Sequence, residues 1–233
     1  MPKFLFILLL LSPSFLAAQT EGGVAGEKQF EWHSAITQSL RFLALEHGVR
    51  MATEADSRTQ FKGKFWLDYG RSLKGISGWG DGDRWPVNYI GHPFQGAVSG
   101  FIEIQNDPKF KRAEFGVSSH YWRSRLRAFA WSAGYSTQFE LGPLSEASLG
   151  NVGMKRGSAG MVDLVVTPAG GFGLILAEDA LDQFVVKRFE RRTSRPLPRA
   201  LVRGVLNPNR SLANLLAGKL PWHRDTRPGI TVP

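Results

Sequence analysis

Three stretches of the chain hold side chains that could do chemistry together. His92 stands in VNYIGHPFQG with Asn88 before it and Gln95 after it; Glu140 closes WSAGYSTQFE; Asp163 opens DLVVTPAGG, just ahead of Thr167. A histidine and two carboxylates brought from separate helices could move protons, because an imidazole titrates near neutrality and a carboxylate beside it can orient it. The same three could hold a metal, but no HExxH or other paired-ligand spacing supports one, and no cofactor is expected. There is no GxSxG elbow, and a chain without cysteine has no thiolate nucleophile. PAGGFG lacks the GKS or GKT ending and the preceding strand of a phosphate loop. Asp81 and Asp83 in GWGDGDRWP resemble the start of a calcium loop, yet the later ligands are missing, so they read as a turn. A purely structural reading stands beside the chemical one. In it His92 donates to a carbonyl, Asn88 forms a turn, and Asp163 caps a helix or bonds Asn88 and His92, so that the network fixes helix register.

Helices must position these residues. From Trp32 to about Ala55, Ile36, Leu40, Leu43, His47 and Met51 recur at spacings of three and four, and His47 on that stripe reads as a packed residue. Residues 61–74 predict a shorter helix with Phe65, Trp66, Tyr69 and Leu73 as its apolar side. Pro93 suits the first turn of a helix running to about Gln105. The residue before a proline is pushed from helical angles, so His92 is expected just outside it. Gly96 and Gly100 leave one face of that helix open to close approach. Residues 118–140 predict a long helix on which Trp122, Leu126, Phe129 and Ala133 form one stripe and Trp131 and Tyr135 cover another side. Its second half is apolar nearly all round, which suits the centre of a bundle or contact with lipid.

Leu164 to Ala177 carries no charge but is shorter than the roughly 20 residues of a membrane span. Either a helix runs through Pro168 and puts Asp163, Thr167 and Gly170 or Gly171 on one face, or Thr167 caps a helix that starts at Pro168. After Arg192, RPLPRALVRGVLNPNRS reads as extended chain, followed by a short helix from Leu212 to Ala217. Few segments alternate with strand period. The fold expected is all-α, a single helical bundle of about five main helices over residues 31–192, with a proline- and arginine-rich C-terminal extension over 193–233.

The chain opens as a secretory signal does: Lys3, an apolar run from Phe4 to Leu11, then small residues, with cleavage expected after Ala18 and a flexible leader over 19–30. Without cysteine there is no lipid-attachment thiol and no disulfide. The net charge of +9 is concentrated in Lys187, Arg188, Arg191, Arg192, Arg195, Arg199 and Arg203, relieved mainly by Glu190. The whole run to Arg203 is expected at the surface, with Arg191, Arg192 and Arg195 as binding residues. For an exported protein the partner this implies is an anionic lipid or glycolipid surface, or another envelope protein, and not nucleic acid.

VNYIGHPFQG followed far downstream by DLVVTPAGG resembles an uncharacterised bacterial envelope family, known only as a domain of unknown function. The positions that carry the resemblance are Asn88, His92, Pro93, Gly96, Glu140 or Glu146, Asp163, Thr167 and Gly171. More remotely, the order Asp83, His92, Glu140, Asp163 is similar to that of VanZ-like helical bundles. These resemblances imply a helical fold and a site location without an established reaction. Two functions are therefore expected: an exported, membrane-associated helical binding or structural module of the periplasm, or a hydrolase or transferase on a lipid-linked or phosphorylated envelope substrate with His92 as acid–base.

Overall fold

The computed structural model describes residues 29–53, 65–150 and 159–232. The signal peptide, its cleavage site and the leader up to residue 28 lie outside them. The described residues form helices and no strand, which is the all-α class. The helices are α1 (Trp32–Thr53), α2 (Phe65–Lys74), α3 (His92–Asn106), α4 (Ser119–Leu141), α5 (Val162–Leu181), α6 (Pro196–Leu206) and α7 (Pro208–Leu216). A π turn, Val87–Gly91, leads into α3, and another, Asp182–Val186, carries α5 on into a short helix, Lys187–Glu190.

α3 is the central helix. It packs against α5, α4, α7 and α1, and every residue from 95 to 107 is buried. Glycines make this possible. A β-carbon on Gly96 would land on the backbone carbonyl of Thr167, and one on Gly171 would collide with the backbone of Gly96 and Ala97. Gly100 leaves the space that the Ile175 side chain fills. The two backbones therefore touch, as small residues spaced four apart allow. Ala97, Val98, Phe101 and Ile102 of α3 complete a core with Phe42, Leu43, Ala128, Tyr135, Phe139, Ile175 and Ala213.

Local signals explain the helix starts. The Ser118 hydroxyl accepts from the Tyr121 amide at 3.2 Å and caps α4. Prolines open α6 and α7, where the missing N–H has no helical partner to lose. α5 runs unbroken through Pro168 and buries Asp163, Thr167 and Gly171 on one face.

Four expectations are corrected. His92 lies inside the helical run, with φ −63° and ψ −43°, and its amide reaches back to the Val87 carbonyl. Pro93 stands in the first turn of α3, directly after this i→i+5 bonding, where its missing N–H costs least. Secondly, the segment after Arg192 is not extended: it forms α6 and α7, and Ala213 of α7 joins the main core. Thirdly, the basic run to Arg203 is not all surface, because Arg203 is fully buried and bonded to Glu190. Finally, α4 is turned the other way. Trp122, Leu126 and Phe129 face outward, while Ser124, Ala128, Ser132 and Ser136 face the core. Ile36 of α1 and Trp66 and Leu73 of α2 are likewise exposed. Small side chains give the closer helix approach, so they take the inside and the large apolar ones are left outside.

Candidate functional site

α3, α4 and α5 bring His92, Glu140 and Asp163 together. One donor atom from each lies within 4.8 Å of the others, the proximity that three ligands of one metal ion would need. The helix ends that carry them are fixed by the Gly96–Gly171 contact and by Ser136, whose hydroxyl donates to the Asp163 carbonyl at 3.0 Å. The imidazole is held at Nδ1 and faces a carboxyl oxygen with Nε2. Its Nδ1 lies 3.0 Å from Gln95 Oε1 and 3.2 Å from the Thr167 hydroxyl, and its Nε2 lies 3.4 Å from Asp163 Oδ1. With Gln95 presenting an acceptor, the network places the ring proton on Nδ1 and leaves the Nε2 lone pair facing Asp163. Phe139 packs edge-on against the ring.

Burial dominates the electrostatics. It holds His92 below its ordinary pKa, against the Gln95 hydrogen bond and the Asp81 charge. Burial likewise pushes Asp163 up to about 9, helped by a hydrogen bond shared with Asp81 and by the charges of Glu140, Asp81 and Asp83. Glu140 is raised to about 8 by burial, with Arg50 opposing. Glu46, which accepts from the Tyr135 hydroxyl at 2.5 Å, is also raised to about 8 by burial. Asp81 moves the other way: burial would raise it, but hydrogen bonds from Asp163, Asn88 and the Asp83 amide outweigh that.

These shifts make stability depend on pH. Unfolded, the carboxyls ionise near their ordinary values of 3.8 and 4.5; folded, Asp163, Glu140 and Glu46 keep their protons to about 9, 8 and 8. The native state therefore binds more protons across this window, and its stability falls as pH rises. We expect the melting temperature, measured with a chelator present, to drop steadily from pH 6 to pH 9. Glu46→Gln should flatten part of that slope. A melting temperature that rises over the same range would contradict the burial of these groups.

The other expected site residues divide in two. Gln95 and Thr167 bond His92, and buried Asn88 donates to Asp81 Oδ1 at 2.9 Å. Arg191, Arg192 and Arg195 are exposed and lie past the far end of α5. At about 1.5 Å rise per residue they are roughly 40 Å from Asp163, so they belong to a different surface. Glu146 pairs with Arg50. His47 Nε2 donates to the Leu144 carbonyl, 3.0 Å away, and the ring stacks on Phe139. With a carbonyl as partner it must be the donor, a packed core residue as its position suggests.

Asp81 reads from the sequence as part of a turn, and its place in that glycine-rich loop hid that its carboxyl meets Asp163. Sequence reasoning also missed a second polar cluster. Asp179 accepts from Arg125 Nε at 2.7 Å and from the Tyr121 hydroxyl at 2.9 Å, and it pairs with Arg210. Asp182 binds Arg224 at 3.1 Å and Arg227 at 2.5 Å. No family model, curated protein or solved structure matches the chain.

Proposed function

We propose that this chain is an exported cell-envelope protein, a helical module that rests on an anionic membrane surface. The observation that carries the reading is the reversed polarity of α4 and α5. Trp122, Leu126 and Phe129 point away from the bundle while serines and an arginine are buried behind them. Phe172 of α5 joins that face, with ring centroids 5.8 Å from Phe129 and 6.5 Å from Trp122. Val165, two turns before Phe172 on the same side of α5, is exposed beside it, and Leu181 and Phe184 are exposed further along the chain. Water would meet a contiguous apolar patch there, which soluble monomers seldom expose.

Charge supports the same orientation. Arg188, Arg191, Arg192 and Arg195 are exposed just beyond Phe184, and none is ion-paired among the described residues. Each cation near an anionic leaflet contributes about 1 kcal/mol. Val162–Glu190 is 29 residues long with a mean hydropathy of 1.4 over its most apolar window, enough by length and composition to cross a membrane. Its inner face carries Asp163, Glu178, Asp179 and Asp182, which bond inside the bundle, so we read it as an interfacial core helix.

Fractionation tests the reading. The wild-type chain should sediment with membranes, resist a high-salt wash and be released by mild detergent. Replacing Arg191, Arg192 and Arg195 with serine should weaken binding to vesicles of anionic phospholipid by about 100-fold, the sum of three such charges. Recovery of the wild type in the soluble fraction, or equal vesicle binding by the variant, would contradict it.

A further inference from the structure

We infer that His92, Glu140 and Asp163 form a three-ligand site for a divalent transition-metal cation of the zinc class. The inference stands on the geometry of the cluster and not on membrane attachment. Its first support is convergence: three donors from three helices lie within 4.8 Å of one another. Ligands about 2.1 Å from a tetrahedral ion stand about 3.4 Å apart. The separation of His92 Nε2 and Asp163 Oδ1 is 3.4 Å. That is long for a hydrogen bond between them and matches two neighbouring corners of such a site.

The second support is unmet bonding capacity. Asp163 is 4% exposed, yet its Oδ1, the oxygen facing His92, has no hydrogen-bond partner, and neither does the buried Glu140 Oε1. A buried carboxylate oxygen left bare is costly, and native structures rarely leave one without cause. A cation would satisfy both oxygens at once, displacing the carboxyl protons and compensating the charge left behind.

The third support is the imidazole. Gln95 and Thr167 occupy Nδ1 and fix the ring, which leaves Nε2 as the free lone pair pointing at the bare oxygens. Metal-bound histidines are held in this way by a hydrogen bond on the other nitrogen. Asp81 stands behind Asp163 as an outer carboxylate, itself held by Asn88. One nitrogen and two oxygens suit zinc or a neighbouring first-row divalent ion, and three protein ligands leave a position open for water or substrate. Linear spacing could not reveal the site, because each ligand comes from a different helix.

The test uses the full chain in detergent, stripped with chelator and titrated with zinc chloride, then with cobalt chloride. We expect one zinc per chain with a submicromolar dissociation constant, and a cobalt complex with the visible absorption of tetrahedral nitrogen and oxygen ligation. His92→Gln and Asp163→Asn should each weaken zinc binding by at least about 100-fold, whereas Arg191→Ser should not change it. Zinc binding that is unaffected by the site substitutions would overturn the assignment. So would a wild-type chain that gives no cobalt band at saturation, a measurement that needs no variant to fold. Failure here would leave sedimentation with membranes unchanged, so the two readings fail separately.

Discussion

Asp179→Ala should destabilise the chain by about 3–5 kcal/mol, measured by denaturant unfolding in detergent. Removing one partner of a buried ion pair leaves the other charge uncompensated, and that penalty falls in this range. Asp179 joins three elements. It accepts from Tyr121 and Arg125 of α4 and pairs with Arg210 of α7, while sitting on α5 itself. Arg125 is 1% exposed, so the variant would leave a buried guanidinium with fewer acceptors. Arg125 would keep the Ala113 carbonyl at 3.0 Å and the Ser124 hydroxyl at 2.8 Å, neither of which carries a full charge. The nearby Glu178 takes the amides of Asn209 and Arg210 at the start of α7. α7 should therefore loosen first, which hydrogen exchange would show as lost protection over residues 208–216. Stability within 1 kcal/mol of wild type would mean that the pair is solvated.

Gly96→Ala should cost about 2–3 kcal/mol and lower the melting temperature accordingly. The added methyl would meet the Thr167 carbonyl, which is backbone and cannot rotate away. Overpacking of this kind typically costs 1–3 kcal/mol, and the α3–α5 crossing offers no flexible side chain to absorb it. The change also acts on the site, because Thr167 bonds His92. Gly134 of α4 is the control. No atom lies within 4 Å of a β-carbon there, so Gly134→Ala should stabilise the chain by about 0.5–1 kcal/mol through helix propensity alone. Equal effects at the two positions would show that α3 and α5 do not touch.

These two results bear on how much of the molecule can be read from its residues. The α3–α5 contact is legible, because Gly96 and Gly100 repeat with the helix and Asp163, Thr167 and Gly171 share one face once α5 runs through Pro168. His92 and Asp163 stand in motifs that can be picked out by eye, whereas Glu140 is indicated only by the family resemblance, with Glu146 as its alternative. The orientation of α4 was hidden by a hydrophobic criterion: Trp122, Leu126 and Phe129 outweigh the serines in any apolar stripe. The competing signal is the row Ser124, Ala128, Ser132, Ser136, small residues at every fourth position. The Asp179 cluster gives no local sign, since Arg125 and Arg210 lie 54 and 31 residues from it along the chain. α6 and α7 were masked by Pro196, Pro198 and Pro208, which punctuate a segment whose prolines in fact open helices.

Contact between the outward face of α4 and lipid is the claim on which the proposed function depends, and Trp122 on that face reports it. Fluorescence of the wild type and of Trp122→Phe should be compared in vesicles of ordinary and of brominated anionic phospholipid. The tryptophan signal lost in Trp122→Phe should be strongly quenched by the brominated chains and shielded from aqueous iodide. If that signal is quenched by iodide and untouched by brominated lipid, the outer face of α4 lies in water and the membrane reading is wrong.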